Sequence, residues 1–230
     1  MIENLAGHAA TRIELRRRAV CVSLAAALLL ASLAACGKKE TRGRLVPLGA
    51  TVLALGDSIT FGTGAPKDAS YPSVLTRLSG WNVINAGVPG DVSAQALRRL
   101  AALLKEQGPE LVLLSIGGND FLRRVSEAET RDNIRQICEQ VLATGAQLLL
   151  IAVPRPSLAA AAVRSLSDHE LYAKLAQQLE LPLYAQGWAE VLGDDALRSD
   201  AIHANALGYE RFARGLAARA QALGMLAASA

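Results

Sequence analysis

The chain has 230 residues, 51% hydrophobic and 20% charged, which is enough apolar material for one core of ordinary domain size. Its formal charge is +3, and the first 36 residues supply most of this through four arginines set against two glutamates. The rest is close to neutral, with no basic face and no set of stacking aromatics, so composition excludes a nucleic-acid-binding footprint.

Arg16-Arg17-Arg18 precede a run of small and apolar residues from Ala19 to Ala35, broken only by Ser23 and Ser32. A basic flank followed by such a run is a secretory signal. An uncleaved membrane helix is an alternative, although the run is slightly short for a span, and an ordinary cleaved signal peptide is another. The run ends Leu33-Ala34-Ala35-Cys36-Gly37, which resembles a bacterial lipobox. That resemblance implies a lipoprotein signal peptide over residues 1–35, lipidation of Cys36, a tether over 36–49 and a folded domain over 50–230. It places the protein in the periplasm, held to a membrane by acyl chains on Cys36. Gly37, where aspartate would favour retention, points to the outer membrane. Of the other cysteines, Cys21 lies within the signal and Cys138 in a helical pattern. No disulfide framework follows, and Cys138 reads as a small buried hydrophobe.

Beyond residue 50, short apolar runs alternate with helical patterns, as in a parallel α/β sheet. Strands are predicted at Thr51–Leu55, Trp81–Asn85, Leu111–Ile116 and Gln147–Val153, with a weak fifth at Leu183-Tyr184. Helices are predicted at Tyr71–Leu78, from a capping Ser93 to about Glu106, at about Thr130–Ala143, from a capping Asp168 to Leu179, and at about Ala206–Leu223. The apolar stretch Val153–Val163 reads either as the lining of an acyl pocket or as a short helix packed on the body. No internal repeat and no second domain is visible.

Ser58 lies just past the first strand, in Gly56-Asp57-Ser58-Ile59-Thr60, at the strand end where open α/β sheets bind ligands. A serine hydroxyl needs a base as it attacks, and histidine has the right pKa. Two histidines lie beyond the signal segment. His169, flanked by Asp168 and Glu170, reads as a solvated surface residue. His203, in Ser199-Asp200-Ala201-Ile202-His203, lies in a loop before the last helix. Asp200, three residues ahead, can aim its carboxylate at the far ring nitrogen and hold the tautomer that accepts a proton. Asp194 and Asp195 are the other candidate partners, and a purely structural His203 is the plain alternative. Asp57 and Asp120 are expected to hold loops. The histidines are too few and too dispersed for a metal site. The nucleophile elbow G-x-S-x-G is not matched, and Gly62-Thr63-Gly64 completes no phosphate loop.

The serine block, Asn85-Ala86-Gly87, Gly117-Gly118-Asn119-Asp120 and Asp200-Ala201-Ile202-His203, in that order, resemble the four motif blocks of the SGNH (GDSL) hydrolases, within the arylesterase, acyl thioesterase and lysophospholipase group. The resemblance covers roughly Val52 to Ala217. It implies a three-layer flavodoxin-like α/β fold with a parallel sheet of about five strands in order 2-1-3-4-5. It also implies a serine esterase working through an acyl-enzyme on Ser58, with catalytic residues Ser58, Asp200 and His203. The oxyanion donors would be the backbone N–H of Ser58 and Gly87 and the side-chain amide of Asn119. Gly87 could instead be a plain turn glycine, since Gly90 lies in the same loop, and Asn119 a helix cap. No cofactor is implied, and the expected partners are a small ester or lipid substrate and the membrane, with a monomeric protein. A carbohydrate O-acetylesterase of the cell envelope is the alternative enzyme, and a non-catalytic envelope lipoprotein that binds lipid or glycan the alternative from another class. Ile59, Ala201 and Ala204 depart from the family pattern without removing a catalytic group.

Overall fold

Runs of leucine, valine and isoleucine form the middle strands of a single sheet. In the computed structural model the described residues are 40–155 and 166–228; the signal segment, Cys36 and the part of Val153–Val163 beyond Arg155 lie outside them. The strands are β1 (Thr51–Gly56), β2 (Asn82–Gly87), β3 (Leu111–Ser115), β4 (Gln147–Ile151) and β5 (Leu183–Tyr184). Their order is β2-β1-β3-β4-β5 and every neighbouring pair is parallel, the order that the family resemblance implied. The residues of β3 and Val52 to Leu55 of β1 are fully buried, because helices cover both faces. The register sets Gly56 beside both Gly87 and Ser115. Three neighbouring strands therefore end flush, and the loops that follow them start from one edge.

The helices are α1 (Ser58–Phe61), α2 (Tyr71–Ser79), α3 (Ser93–Gln107), α4 (Gly118–Leu122), α5 (Glu127–Ala143), α6 (Glu170–Gln178), α7 (Gly187–Leu192) and α8 (Ala206–Ala222). Helices α3, α5 and α6 pack side by side, as do α2, α7 and α8. These are the two outer layers that right-handed crossovers place on a parallel sheet. Trp188 of α7 stacks on Phe212 of α8, with centroids 3.5 Å apart, and Tyr71 meets both rings edge-on. Such pairs contribute about 0.5–1.5 kcal/mol beyond area burial. The Trp188 indole N–H donates to Ser115 Oγ at 3.1 Å, which satisfies both polar groups within the core.

Several predicted boundaries move. Helix α5 begins a turn earlier than its apolar spacing shows, because Ser126 Oγ accepts from the Glu129 amide at 3.2 Å and caps a polar first turn. Ser93 does not cap α3. It is the first helical residue, and its hydroxyl donates to Asp120. Asp168 does not cap α6; its carboxylate accepts from the Gln186 amide at 2.6 Å, and His169 Nδ1 takes the Leu171 amide at 3.3 Å. His169 is not a solvated surface residue. It is 5% exposed and stacks on Phe121 at 4.3 Å. Cys138 is fully buried, and burial pushes its thiol up to about 12.

The described part of the stretch expected as a tether is bound to the domain. Gly43 N–H donates to Leu223 O, Val46 N–H to Met225 O at 2.9 Å and Trp81 Nε1–H to Val46 O at 3.2 Å. Among the described residues no helix is long and apolar enough to cross a membrane.

Candidate active site

The flush strand ends deliver the chemistry. After β1 the chain turns at Asp57, whose carboxylate accepts from the Ile59 amide at 3.1 Å and so caps α1. That turn holds Ser58 as the first residue of α1, where a backbone N–H has no intrahelical acceptor. Gly56 is required here: a Cβ would lie 2.1 Å from Thr60 Oγ1 and 2.4 Å from the Ser115 carbonyl.

From the opposite side, His203 Nε2 stands 3.0 Å from Ser58 Oγ, and His203 Nδ1 stands 2.8 Å from Asp200 Oδ2. The other Asp200 oxygen accepts from the Ile202 and His203 amides at 2.9 and 2.8 Å. Partial burial raises the Asp200 pKa, but the His203 ring and these two amides outweigh it and hold the carboxyl below its usual value. An ionised Asp200 can only accept, so Nδ1–H donates to it and Nε2 is left to accept from the serine hydroxyl. Asp194 and Asp195 are elsewhere: Asp194 caps a short turn by accepting from the Ala196 amide, and Asp195 pairs with Arg198.

The third block arrives on α4. Asn119 Nδ2 donates to the Asp91 carbonyl at 3.0 Å and approaches Asp57 Oδ2 at 3.4 Å. Asp120, next along, is buried and accepts from the Ser93 N–H and hydroxyl. Asp57 is 3% exposed and its pKa is raised to about 7. Burial is the main cause; repulsion from Asp120 and Asp91 adds to it, and the bond from Ile59 opposes it.

The second block ends β2. The Gly87 amide donates to Asn85 Oδ1 at 3.0 Å, and a Cβ on Gly87 would lie 2.1 Å from Phe61 N. Gly87, the last residue of β2, is pressed against α1, and its N–H is bonded to the Asn85 side chain. The next turn runs Val88-Pro89-Gly90-Asp91, closed by Asp91 N–H donating to Val88 O at 3.1 Å, with Gly90 at φ +81°. Proline second and glycine third are what a type II turn requires. The carbonyl that Asn119 holds belongs to the residue after Gly90.

A cavity of about 210 Å³ opens beside Ser58, lined by Ile59, Leu122, Val153, Leu166, Leu192 and Ile202 and rimmed by Asn119 and Arg155. Its walls are mainly apolar side chains from six separate stretches of the chain. Among the described residues no three of His, Cys, Asp or Glu converge to hold a metal ion.

The sequence profile of the GDSL-like lipase/acylhydrolase family matches residues 54–211. Thioesterase 1/protease 1/lysophospholipase L1 of Escherichia coli is 36% identical over 158 residues, which cover 67% of this chain and 76% of that protein. Esterase TesA of Pseudomonas aeruginosa is 32% identical over 162 residues, covering 66% of this chain and 79% of that one. Among solved structures, the crystal structure of TesA superposes with a TM-score of 0.67 at 28% identity, covering 75% of this chain and 99% of that chain. The chain belongs to the GDSL-like lipase/acylhydrolase family and is an ester hydrolase.

Proposed function

We propose that this hydrolase cleaves carboxylic esters or thioesters of apolar acyl groups through an acyl-enzyme on Ser58. The observation that carries the reading is the continuous line Ser58 Oγ, His203 Nε2, His203 Nδ1, Asp200 Oδ2, with gaps of 3.0 and 2.8 Å at the mouth of an apolar cavity. Ser58 Oγ attacks the carbonyl carbon while His203 Nε2 takes its proton. His203, oriented by Asp200, returns that proton to the leaving alcohol or thiol. A water molecule then attacks the acyl-enzyme with His203 again as base, and the serine is restored.

The oxyanion would be held by the Ser58 N–H, the Asn119 side-chain amide and one glycine N–H. We assign the last to Gly90 rather than Gly87, since the Gly87 amide is committed to Asn85 and Gly90 adjoins the residue that holds Asn119. Cavity walls of isoleucine, leucine and valine favour an acyl chain over the acetyl group of a carbohydrate ester. The relatives' names, thioesterase, lysophospholipase and esterase, agree with that preference.

The same reading places the enzyme in the periplasm as a monomer, held to the outer membrane by a lipid on Cys36. The support is the Leu33–Gly37 sequence that follows the apolar run. Cys36→Ser should leave the protein unlabelled by radioactive palmitate and release it from the membrane fraction.

For the catalytic reading, full-length wild type and Ser58→Ala would be assayed on p-nitrophenyl esters from C2 to C16. Turnover peaking at medium chains and lost in Ser58→Ala is expected. Turnover of acetate alone would favour the carbohydrate deacetylase, and full activity in Ser58→Ala would remove the mechanism.

A further inference from the structure

One charged side chain outside the Ser58, His203 and Asp200 line joins two of the loops beside it. Arg99, on the second turn of α3, presents two nitrogens of its guanidinium edge to two different loops. Its Nε donates to Asp91 Oδ2 at 2.8 Å and its Nη2 donates to the Gly56 carbonyl at 2.8 Å. Gly56 is the last residue of β1, two before the nucleophile. Asp91 is in the loop after β2, and its own carbonyl accepts from Asn119 Nδ2. One planar cation therefore spans the strand that carries Ser58 and the loop that holds Asn119.

The same helix reaches the third loop. Ser93, its first residue, donates from N–H and hydroxyl to Asp120, the neighbour of Asn119. Asn133 of α5 in turn donates to the Ser93 hydroxyl at 3.0 Å. Asn119 has two amide hydrogens, and the one bound to the Asp91 carbonyl decides where the other points. If the Asp91 carbonyl shifts, the second N–H, which approaches Asp57 Oδ2 at 3.4 Å, turns with it, and catalysis by such a donor falls off steeply with misplacement.

The geometry points to Arg99 as a positioning residue that, through Asp91, sets the orientation of the Asn119 amide relative to Ser58. The inference rests on Asn119 acting as an oxyanion donor. Lysine can replace the charge but not the fork: a single ammonium on a flexible stem does not reproduce two bonds in fixed directions. Asp91→Asn tests the same link from the other partner, keeping side-chain shape and removing the ion pair.

The test is kcat and KM on p-nitrophenyl butyrate for the full-length protein as wild type, Arg99→Lys, Asp91→Asn, Asn119→Ala and Arg99→Lys/Asn119→Ala, with melting temperatures to establish folding. Asn119→Ala should lower kcat by about 10²–10³-fold. Arg99→Lys should lower kcat about tenfold with KM within about twofold, since the lost interaction belongs to the transition state. In the Asn119→Ala background that tenfold loss should shrink to within about twofold, because the group being positioned is gone. A merely structural Arg99 would leave kcat of the folded protein intact or cost the same factor in both backgrounds; either outcome overturns the inference. Should Arg99→Lys not fold, Asp91→Asn decides, and wild-type kcat there overturns it. Wild-type kcat in Asn119→Ala would instead overturn the oxyanion reading itself, and the role of Arg99 with it.

Discussion

His203 and Asp200 sit three residues apart on one loop, with the Asp200 side chain 53% exposed and the histidine 15% exposed. Asp57 and Asn119 meet across 62 residues of chain and are braced by Asp91, Arg99, Asp120 and Ser93 from beneath. The proposed base half is thus local and partly exposed, its geometry set by two amides folding back on one carboxylate. The other half is long-range, largely buried and charged. A local turn can be assembled in an exposed loop because its bonds compete with water at modest cost. Three carboxylates beneath a sheet edge need donors on every side, since an unpartnered buried charge is expensive. The contrast implies that damage to the proposed base half should remove activity and largely spare stability, whereas damage to the proposed oxyanion half should affect both.

The largest effect expected is on the local half. His203→Ala should lower kcat by about 10⁴-fold or more, with a stability loss, measured by urea denaturation, of no more than about 1 kcal/mol for a side chain 15% exposed. A large stability loss would erase the distinction between the halves. Asp200→Asn should cost about 10²–10⁴-fold, at the lower end if water can take over from a carboxylate this exposed.

Next comes Asn119→Ala, with a loss of about 10²–10³-fold in kcat and about 1–2 kcal/mol in stability from bonds removed within the braced half. A stability equal to wild type would show that the brace holds without its asparagine.

Asp57→Asn sharpens the comparison through pH. The folded-state pKa of Asp57 is about 7, above its ordinary 3.8. Between these values the native state holds a proton that the unfolded chain has released. The stabilisation is therefore full below pH 3.8 and is lost as pH rises through about 7. The wild type should lose up to about 1.4 kcal/mol of stability per pH unit across that window relative to Asp57→Asn. Matching pH–stability curves for the two proteins would place Asp57 in a far less buried and less acidic setting.

The smallest effect lies at the sheet edge remote from Ser58, where the chain enters β1. Trp81→Phe removes the N–H that holds the Val46 carbonyl and should cost about 1–2 kcal/mol with kcat unchanged. A fall in kcat would mean that the two edges of the sheet are coupled.

Much of this protein was legible in its residues. The apolar runs of β1, β3 and β4 are the signature of strands covered on both faces. Asp200 and His203 declare their pairing by proximity in the chain. These are local properties, decided by sterics, side-chain character and spacing over a few residues. The strand order came from the family resemblance, since the alternation of runs does not specify it.

What only the tertiary structure decided are relations between residues that carry no local mark. Arg99 looks like any charged residue on an amphipathic helix until β1 and the β2 loop converge on it. His169, flanked by acids, reads as surface until Phe121 closes over it. The family resemblance put Gly87 forward as an oxyanion donor, and only the fold brings the Gly87 amide onto Asn85 and sets Gly90 beside the residue whose carbonyl accepts from Asn119. In each case the deciding interaction joins segments distant along the chain, and its energy depends on burial and on the direction of a donor, which exist only once the sheet has brought its strand ends into line.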